Sequence, residues 1–319
     1  MDALSSHRSS PSLPTLKEIL NRPLLFVEGK GGVGKTVLAQ SIAHALAAKN
    51  RSTLLVSIEN PLLPAGELKK IASNLWHLNC DPTTAFEEYA SLKIGVAALT
   101  RIFLQNKLMR YLGKAAPGVH EVVILGKIWH DRKDYDHVVV DMPSMGYGIT
   151  MFQSTANFAK LFRGGPIHRD SEAMLKTFAD PAQTGQLIVS LAEEMPLTES
   201  LELRDYLNGF FPDNAPGFLV NRRFPKPEIL EDSDVGSNES SRDYEKGHTP
   251  LATSALDYLT QRFLLEDHNM RLWRNQKIPY GEIGYIPPAA RSSGDVKSEP
   301  AIQKTISRVS ALLAEKGYV

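Results

Sequence analysis

The sequence is poor in cysteine, has no excess of charge of either sign and contains no long hydrophobic run. Cys80 is the one cysteine among 319 residues. A single chain therefore forms neither an internal disulfide nor a four-cysteine zinc or iron–sulfur site. Lys plus Arg and Asp plus Glu number 36 each, which does not indicate a general nucleic-acid or acidic-membrane binder. The longest apolar stretch, near Ile94–Leu104, is interrupted by Thr100 and Arg101 and is too short to cross a bilayer.

The amino-terminal stretch, MDALSSHRSSPSLPT, is polar and lacks the apolar core of a secretion signal. With the scarcity of cysteine, this predicts a cytoplasmic protein. Apolar residues make up 42% of the chain, the level of a globular protein that buries a sizeable core. We expect residues 1–14 to be disordered and residues 15–319 to form a single domain.

Short apolar runs alternate with helical patterns along most of the chain. LLFVE (24–28) leads into glycines, an amphipathic pattern covers 36–48, and TLLVSI (53–58) follows as a second strand. This order predicts a βαβ unit with a right-handed crossover. Further buried strands are predicted at 137–141, 186–191, 217–221 and 282–286. The alternation favours an α/β fold with a doubly wound, mostly parallel sheet.

Several segments do not fit this alternation. Residues 81–135 and 148–180 carry helical patterns rich in large apolar side chains. They predict a helical subdomain inserted at the edge of the sheet. Residues 226–250 are polar and acidic without periodicity, which predicts a disordered surface loop. The final segment, 299–316, has one apolar helix face, and a packing helix is favoured over a membrane-surface anchor because its polar face is not strongly basic.

The sequence GKGGVGKT (29–36) is a complete phosphate-binding loop pattern between a predicted strand and an amphipathic helix. Its glycines let backbone N–H groups form an anion nest, and the helix that follows directs its positive end at phosphates. Lys35 is placed to reach the β- and γ-phosphates, and Thr36 to bind Mg²⁺. The predicted nucleotide-binding residues of the loop are Gly29, Gly31, Gly32, Val33, Gly34, Lys35 and Thr36.

A second lysine, Lys30, lies early in the same loop. Its side chain need not face the nucleotide of its own subunit. It is therefore a candidate to act in an adjacent subunit like an arginine finger, neutralising charge that develops during phosphoryl transfer. The alternative is a solvated surface lysine.

With this additional lysine, GKGGVGKT resembles the deviant phosphate loop of the class that includes ParA, MinD and nitrogenase iron protein. The chain most resembles the ArsA-type ATPases, which include the arsenite-pump subunit and the targeting factor for tail-anchored membrane proteins. Four further segments carry the resemblance. They are PGVHE (117–121), similar to a Pro-Gly-x-x-Glu element; DYDHVVVDMPSMGYG (134–148), similar to the Walker B strand and second switch; LAEEMPLTESLEL (191–203), similar to a segment ending in Glu-Thr; and FLVNRR (218–223), similar to the strand whose Asn contacts adenine.

The resemblance implies a P-loop ATPase that binds ATP and Mg²⁺ and closes as a nucleotide-sandwich dimer, with Lys30 crossing to the partner's phosphates. It places Asp141 in the Mg²⁺ shell through water. It places the Gly146 N–H toward the γ-phosphate, within a second switch over residues 142–150. It places Asn221 against adenine, since an amide offers a donor and an acceptor. A structural role for Asp141 and a turn-forming role for Asn221 stay open.

Two positions depart from the family pattern. Glu59, in SIENPLLP (57–64), stands in the first switch where the family has the Asp that orients the attacking water. Tyr147 stands in the second switch where the family often has His. Glu is one methylene longer than Asp, so Glu59 is either a slow catalytic base or part of a degenerate switch with low activity. A single cysteine also lacks the thiolates needed for metalloid transport.

The leading prediction is an ArsA-like ATPase that acts on an unidentified client, as a homodimer or as a heterodimer with a paralogue. A positioning ATPase of the MinD or ParA type is one alternative. A poorly hydrolysing regulatory subunit, paired with an active paralogue, is another. We predict no nucleic-acid partner and no integral membrane segment, while a membrane-associated partner stays open. Whether the helical segments bind a hydrophobic client stays open too, because their methionines equally suit a core.

Overall fold

The computed structural model describes residues 13–94, 118–162, 164–227, 250–275, 278–287 and 301–319. Within these ranges eight strands form one sheet with the order β3-β4-β2-β5-β1-β6-β7-β8. The strands are β1 (Leu24–Gly29), β2 (Thr53–Ile58), β3 (Leu68–Ala72), β4 (Leu75–Cys80), β5 (His137–Asp141), β6 (Thr184–Leu191), β7 (Gly217–Arg223) and β8 (Tyr280–Gly284). All neighbours run parallel except β3, which is antiparallel to β4. The predicted α/β fold with a mostly parallel sheet is confirmed.

Helices cover both faces of this sheet. They are α1 (Leu16–Leu20), α2 (Lys35–Ala48), α3 (Pro82–Ile94), α4 (Val119–Asp131), α5 (Met145–Leu161), α6 (Gly165–Ala179), α7 (Glu194–Phe210), α8 (Pro250–Arg274) and α9 (Ala301–Glu315). One core contains side chains of α1, α2 and α9. The other contains side chains of α3 to α8. This is the three-layer arrangement that a sheet buried on both faces requires.

Strand β1 shows how the alternation of side chains divides the two cores. Phe26 points to the face covered by α5 and α6, whereas Leu25 and Val27 point to the face covered by α2. The Phe26 ring meets the rings of Phe152 and Phe178 edge-on, with centroids 5.3 and 5.2 Å apart. Such edge-to-face contacts fix the position of α5, which begins at the second switch.

Helix α9 packs along α2 on the opposite face. Its Val309 and Leu313 are buried in the same core as Leu38 and Ile42 of α2, and Ile306 is buried as well, with its carbonyl oxygen accepting from Ser41 Oγ of α2 at 3.3 Å. Most of the apolar face predicted for 299–316 is therefore covered by this domain, in agreement with the packing-helix interpretation, whereas Ile302 at the start of the helix is 57% exposed. No helix in the described ranges is both long and apolar enough to traverse a bilayer.

The segments predicted as an inserted helical subdomain contain α3 to α6. Ile124 of α4, Phe152 of α5 and Met174 of α6 are buried in the core that these helices share with the sheet. The described part of these segments therefore forms the helical layer on one face of the sheet. Residues 95–117 lie outside the described residues, as do 1–12 and 228–249 of the two segments predicted to be disordered. The predicted domain boundaries stay a prediction.

The hairpin of β3 and β4 at the sheet edge was not predicted from the sequence. The β3 sequence LKKIA is largely exposed and has no apolar run, so it lacks the signal of a buried strand. The last strand, predicted at 282–286, occupies Tyr280–Gly284 instead. Its ladder with β7 begins at Tyr280 opposite Phe218 and ends ahead of Pro287, which has no N–H to donate.

Candidate functional site

The predicted site residues lie at the carboxyl ends of the central strands. Asp141 ends β5 between two neighbours, pairing with Val27 of β1 and Ser57 of β2. The phosphate loop follows β1, and Glu59 follows β2. Crevices at this end of an open parallel sheet are where such folds bind ligands. The topology thus brings together the two lysines, Glu59 and Asp141, which are far apart in sequence.

The glycines at the two ends of the loop have conformations that other residues tolerate poorly. Gly29 has φ 140°, and a Cβ at this position would lie 2.3 Å from the Val189 carbonyl oxygen of β6. Gly34 has φ 98°, and a Cβ there would lie 2.4 Å from Asn221 Nδ2. A Cβ built on Gly31 or Gly32 would meet no atom within 4 Å. The loop is therefore packed tightly at both ends and open in the middle, as a phosphate cradle requires.

Lys35 is directed back into the loop. Its Nζ donates to the Lys30 carbonyl oxygen at 2.8 Å, although the side chain is almost fully buried. Burial lowers the pKa of Lys35, while the nearby Asp141 and Glu28 carboxyls oppose that shift. The buried Lys35 ammonium group donates to a carbonyl oxygen of its own loop. Phosphate oxygens of a bound nucleotide could replace that carbonyl oxygen as the acceptor.

Asp141 and Thr36 form the predicted Mg²⁺ pair. Burial raises the pKa of Asp141, opposed by a hydrogen bond with Thr36 and by Lys35. Its Oδ1 is buried without a hydrogen-bond partner. The unpartnered Asp141 oxygen lies beside the Thr36 hydroxyl at the start of α2. Both are oxygen atoms, the type of ligand that Mg²⁺ prefers. The residues present thus fit MgATP: the loop amides and Lys35 for phosphates, Thr36 and Asp141 for the metal.

Glu28 is a further carboxylate at this site, and the sequence reasoning missed it. It lies on β1 directly before Gly29 and is 2% exposed. Its Oε1 has no partner, and burial raises its pKa to about 8 against the opposing effect of Lys35. The available signal was an acidic residue that ends an otherwise apolar strand immediately before the phosphate loop.

The first switch is fixed by backbone and amide contacts to β4. Glu59 has φ 47°, a left-handed conformation that is uncommon for a residue other than glycine. Its N–H donates to the Cys80 carbonyl oxygen at 2.9 Å. The buried Asn79 side chain accepts from Asn60 N at 2.9 Å and donates to the carbonyl oxygens of Asn60 and Leu63, each at 3.0 Å. The loop therefore has a defined shape, with the Glu59 side chain free to face the second switch.

The second switch begins α5, which starts at Met145 after Ser144. Gly146 lies in the first helical turn, where backbone N–H groups have no partner within the helix. This is consistent with the predicted role of its N–H toward a phosphate. Tyr147 is half-buried, and its hydroxyl donates to Glu59 Oε2 at 2.9 Å. The two positions that depart from the family pattern are therefore in direct contact.

Lys30 pairs within its own chain. Its Nζ lies 2.5 Å from Glu199 Oε1 of α7, and its side chain is 41% exposed. The other oxygen, Glu199 Oε2, is buried without a partner. The Lys30 side chain is thus directed toward α7 and away from its own phosphate loop, and it is only partly exposed to solvent. Its action across a dimer stays a prediction, because one chain does not test it.

Asn221 holds the phosphate loop to β7. Its Nδ2 donates to the Val33 carbonyl oxygen at 2.9 Å, and its Oδ1 accepts from Arg222 N at 2.9 Å. Arg222 has φ 57°, and the pairing of β7 with β8 shifts register between Val220 and Arg223, so the amide also supports an irregular turn near the end of the strand. Both halves of the amide are engaged, which favours the turn-forming interpretation. An adenine contact would replace at least one of these bonds and stays a prediction.

No group of three or more His, Cys, Asp or Glu side chains suited to a metal occurs in the described part of the chain. The buried Cys80 has its thiol pKa raised to about 12 by burial. Such a thiol is a poor metal ligand, because the thiolate form is the one that binds. The Thr36–Asp141 pair stays the predicted metal site among the described residues.

Comparisons with known proteins show which ATPases this chain is similar to. Residues 22–164 match the family model described as anion-transporting ATPase. The chain is 32% identical over 225 residues to ATPase BagA of Mycobacterium tuberculosis, an alignment that covers 63% of this chain and 65% of that protein. It is 25% identical over 262 residues to ATPase GET3 of Mycosarcoma maydis, covering 67% of this chain and 78% of that protein.

The alignment spans just under two thirds of the length of the mycobacterial relative. The family match contains the phosphate loop, both switches and Asp141, whereas Glu199 and Asn221 lie beyond it. Both relatives are named as ATPases, which supports an ATP-hydrolysing P-loop enzyme. The resemblance to the ArsA-type ATPases that the sequence predicts is confirmed, and residues 22–164 carry it.

Proposed function

We propose that this protein binds ATP with Mg²⁺ at the phosphate loop and hydrolyses it, as a two-subunit switch that acts on a protein client. One observation carries the proposal. The buried, unpartnered Asp141 Oδ1 lies beside the Thr36 hydroxyl and the Lys35 ammonium at the end of a glycine loop with an open middle. A buried carboxylate oxygen without a protein partner is available to a cation or a water molecule, and the hydroxyl and ammonium groups beside it are those that accompany MgATP in phosphate loops.

When bound, MgATP supplies a γ-phosphoryl group for transfer to water. The loop amides and Lys35 hold the phosphate oxygens, and Thr36 and Asp141 hold the metal and its water shell. Glu59 orients the attacking water and accepts its proton. Lys30 neutralises charge on the phosphates of the neighbouring subunit. Its partly exposed side chain, which is directed away from its own loop toward Glu199 of α7, supports this role.

The first experiment measures MgATP binding by calorimetry and phosphate release by a coupled assay. Wild-type protein should bind ATP more tightly with Mg²⁺ than without it. Asp141→Asn should remove most of that Mg²⁺ dependence, because an amide binds the cation more weakly than a carboxylate. Binding that ignores both Mg²⁺ and this substitution would refute the proposed site. Tight binding without phosphate release would instead support the slowly hydrolysing regulatory subunit.

The second experiment tests the two-subunit switch by light scattering and kinetics. MgATP should increase the fraction of dimer. Lys30→Ala should lower the turnover number by about 10³-fold or more, the scale of an arginine finger, while ATP affinity changes little. Glu199→Gln is the matched variant, because it weakens the pair with Lys30 but keeps the lysine. It should retain turnover.

Equal losses of turnover in Lys30→Ala and Glu199→Gln would show that the ion pair itself matters and not the free lysine. A protein that stays monomeric with MgATP while hydrolysing it at the wild-type rate would contradict any action of Lys30 across subunits.

A further inference from the structure

We propose that Tyr147 is a positioning residue that holds the Glu59 carboxylate for water activation and couples the first switch to the second. This inference rests on the proposed function, because Glu59 is the base assigned there. The observation behind it is the hydrogen bond from the Tyr147 hydroxyl to Glu59 Oε2 at 2.9 Å. Each residue alone departs from the family pattern, and together they form a complementary donor and acceptor.

The Glu59 backbone is held by hydrogen bonds to β4, whereas its side chain is held by Tyr147 alone among the described side chains. Cys80 and Asn79 of β4 hold the chain at Glu59 and Asn60. Glu59 is exposed, and Tyr147 is the side chain in the described structure that donates a hydrogen bond to its carboxylate. A glutamate side chain has one more rotatable bond than an aspartate. Without a partner it would sample several rotamers and hold no single position for water.

The Tyr147 end is rigid. Tyr147 lies in the first turn of α5, and its N–H donates to the Ser144 carbonyl oxygen at 2.9 Å. Its ring packs against the core that contains Met151 and Phe152 of the same helix. An aromatic side chain has two rotatable bonds, and packing fixes both of them. The hydroxyl is therefore held at a defined point in front of the first switch.

The charges around the hydroxyl keep it a donor. The pKa of Tyr147 is raised far above its ordinary value, first by burial and then by the hydrogen bond with Glu59 and by the Glu59 and Glu121 charges. The phenol consequently stays protonated at neutral pH, at which a carboxylate base is ionised. A phenol donor facing an ionised carboxylate makes a charge-assisted hydrogen bond, which is stronger than a neutral one.

The contact leaves room for the proposed chemistry. An ionised carboxylate accepts several hydrogen bonds, so Oε1 of Glu59 remains able to accept one from water. Fixing one oxygen fixes the direction of the other. This compensates for the longer side chain of Glu59, because misplacing a catalytic group by about 1 Å can cost about a hundredfold in rate. The pair also links the loop after β2 to the helix after β5, so that a shift of either switch moves the base.

The test uses Tyr147→Phe, Glu59→Gln and the double variant in the full-length protein. Tyr135→Phe is the matched control, since Tyr135 is another half-buried tyrosine that packs on Trp76 and precedes β5 at the opposite end of the sheet. MgATP affinity, turnover number and its pH profile are measured for each. Amide hydrogen exchange over residues 58–66 is measured without nucleotide.

Tyr147→Phe should lower turnover by roughly 10- to 100-fold, the range for a displaced general base, with ATP affinity changed less than about twofold. The double variant should be no slower than Glu59→Gln, because Tyr147 acts through that carboxylate. The pH profile of turnover should keep its wild-type shape in Tyr147→Phe, because the pKa of the phenol lies far above the assayed range. Exchange over 58–66 should accelerate in Tyr147→Phe and stay at the wild-type rate in Tyr135→Phe.

Additive losses in the double variant, or parallel losses of affinity and turnover, would overturn the positioning role. So would wild-type turnover in Tyr147→Phe. These results leave wild-type ATP hydrolysis in place and therefore leave the proposed function standing. Absence of MgATP binding or hydrolysis by the wild-type protein would overturn the proposed function, and the catalytic role of the pair would fall with it.

Discussion

Replacing Glu28 by Gln should abolish a large part of the pH dependence of stability. Glu28 is buried beside Lys35 at the end of β1, and its pKa is raised from 4.5 to about 8 in the folded protein, chiefly by burial. In the unfolded chain it titrates near its ordinary value. Between these two pH values the folded state therefore holds one more proton than the unfolded state. Stability must fall as pH rises across this window, and be insensitive to Glu28 above and below it.

The structure sets the size of this effect. The pKa difference of 8 minus 4.5, or 3.5 units, corresponds to about 5 kcal/mol, since one unit is worth about 1.4 kcal/mol. The slope should approach about −1.4 kcal/mol per pH unit in the middle of the window. Gln has the same shape but no proton to lose. Its own buried amide costs about 1–3 kcal/mol if unpaired, but this cost does not change with pH.

The assay is urea denaturation of nucleotide-free protein at half-unit steps from pH 5 to pH 9. The quantity compared is the free energy of unfolding of wild type minus that of Glu28→Gln, so that the other titrating groups cancel. Glu202→Gln, an exposed glutamate on α7, is the control and should follow wild type throughout. A difference between wild type and Glu28→Gln that stays constant across pH 5–8 would refute the assignment of a raised pKa to Glu28.

Two further substitutions test the packing that holds the site. Gly29→Ala should destabilise the fold by roughly 2–4 kcal/mol in thermal denaturation, because the new Cβ would lie 2.3 Å from the Val189 carbonyl oxygen and the residue has φ 140°. Gly31→Ala is the control and should cost far less, since its Cβ would meet no atom within 4 Å. Equal losses of stability in the two variants would contradict this account. Glu266→Ala should cost about 2–3 kcal/mol in urea denaturation, because it removes the carboxylate 2.8 Å from the Arg223 guanidinium, which is 7% exposed and keeps one partner, Glu282 at 3.2 Å. A loss below about 1 kcal/mol, the scale of an exposed pair, would contradict burial of the pair.

The features that were predictable from the sequence are local ones. A run such as HVVVD is apolar because both faces of its strand are buried, and β5 matches the predicted residues at both ends. The phosphate loop was identifiable because its glycines are required where φ is positive at Gly29, Gly32 and Gly34. The β3–β4 hairpin was missed because an exposed edge strand needs no apolar pattern.

The contacts that complete the site were not predictable, because they join residues distant in sequence. Lys30 and Glu199 are 169 positions apart, and Tyr147 and Glu59 are 88 apart. Residue spacing carries no information about such pairs without a fold that brings strands together. Glu59 and Tyr147 were each visible in the sequence as departures from the family pattern. Their pairing as acceptor and donor follows only from the 2.9 Å hydrogen bond in the structure.

These contacts divide the surroundings of the phosphate loop into two halves. On one side, Lys30 contacts α7 and Asn221 of β7 binds the Val33 carbonyl oxygen, so the loop is anchored to the β6–β7 half of the sheet. On the other side, Tyr147 joins the switches that follow β2 and β5. Thr36, which ends the phosphate loop, forms a hydrogen bond with Asp141 at the end of β5 and so links the loop to the strand that precedes the second switch. If the proposed function holds, we expect a change at the metal pair to displace the two switches together, because the Tyr147–Glu59 hydrogen bond joins them, while the loop keeps its contact with β7.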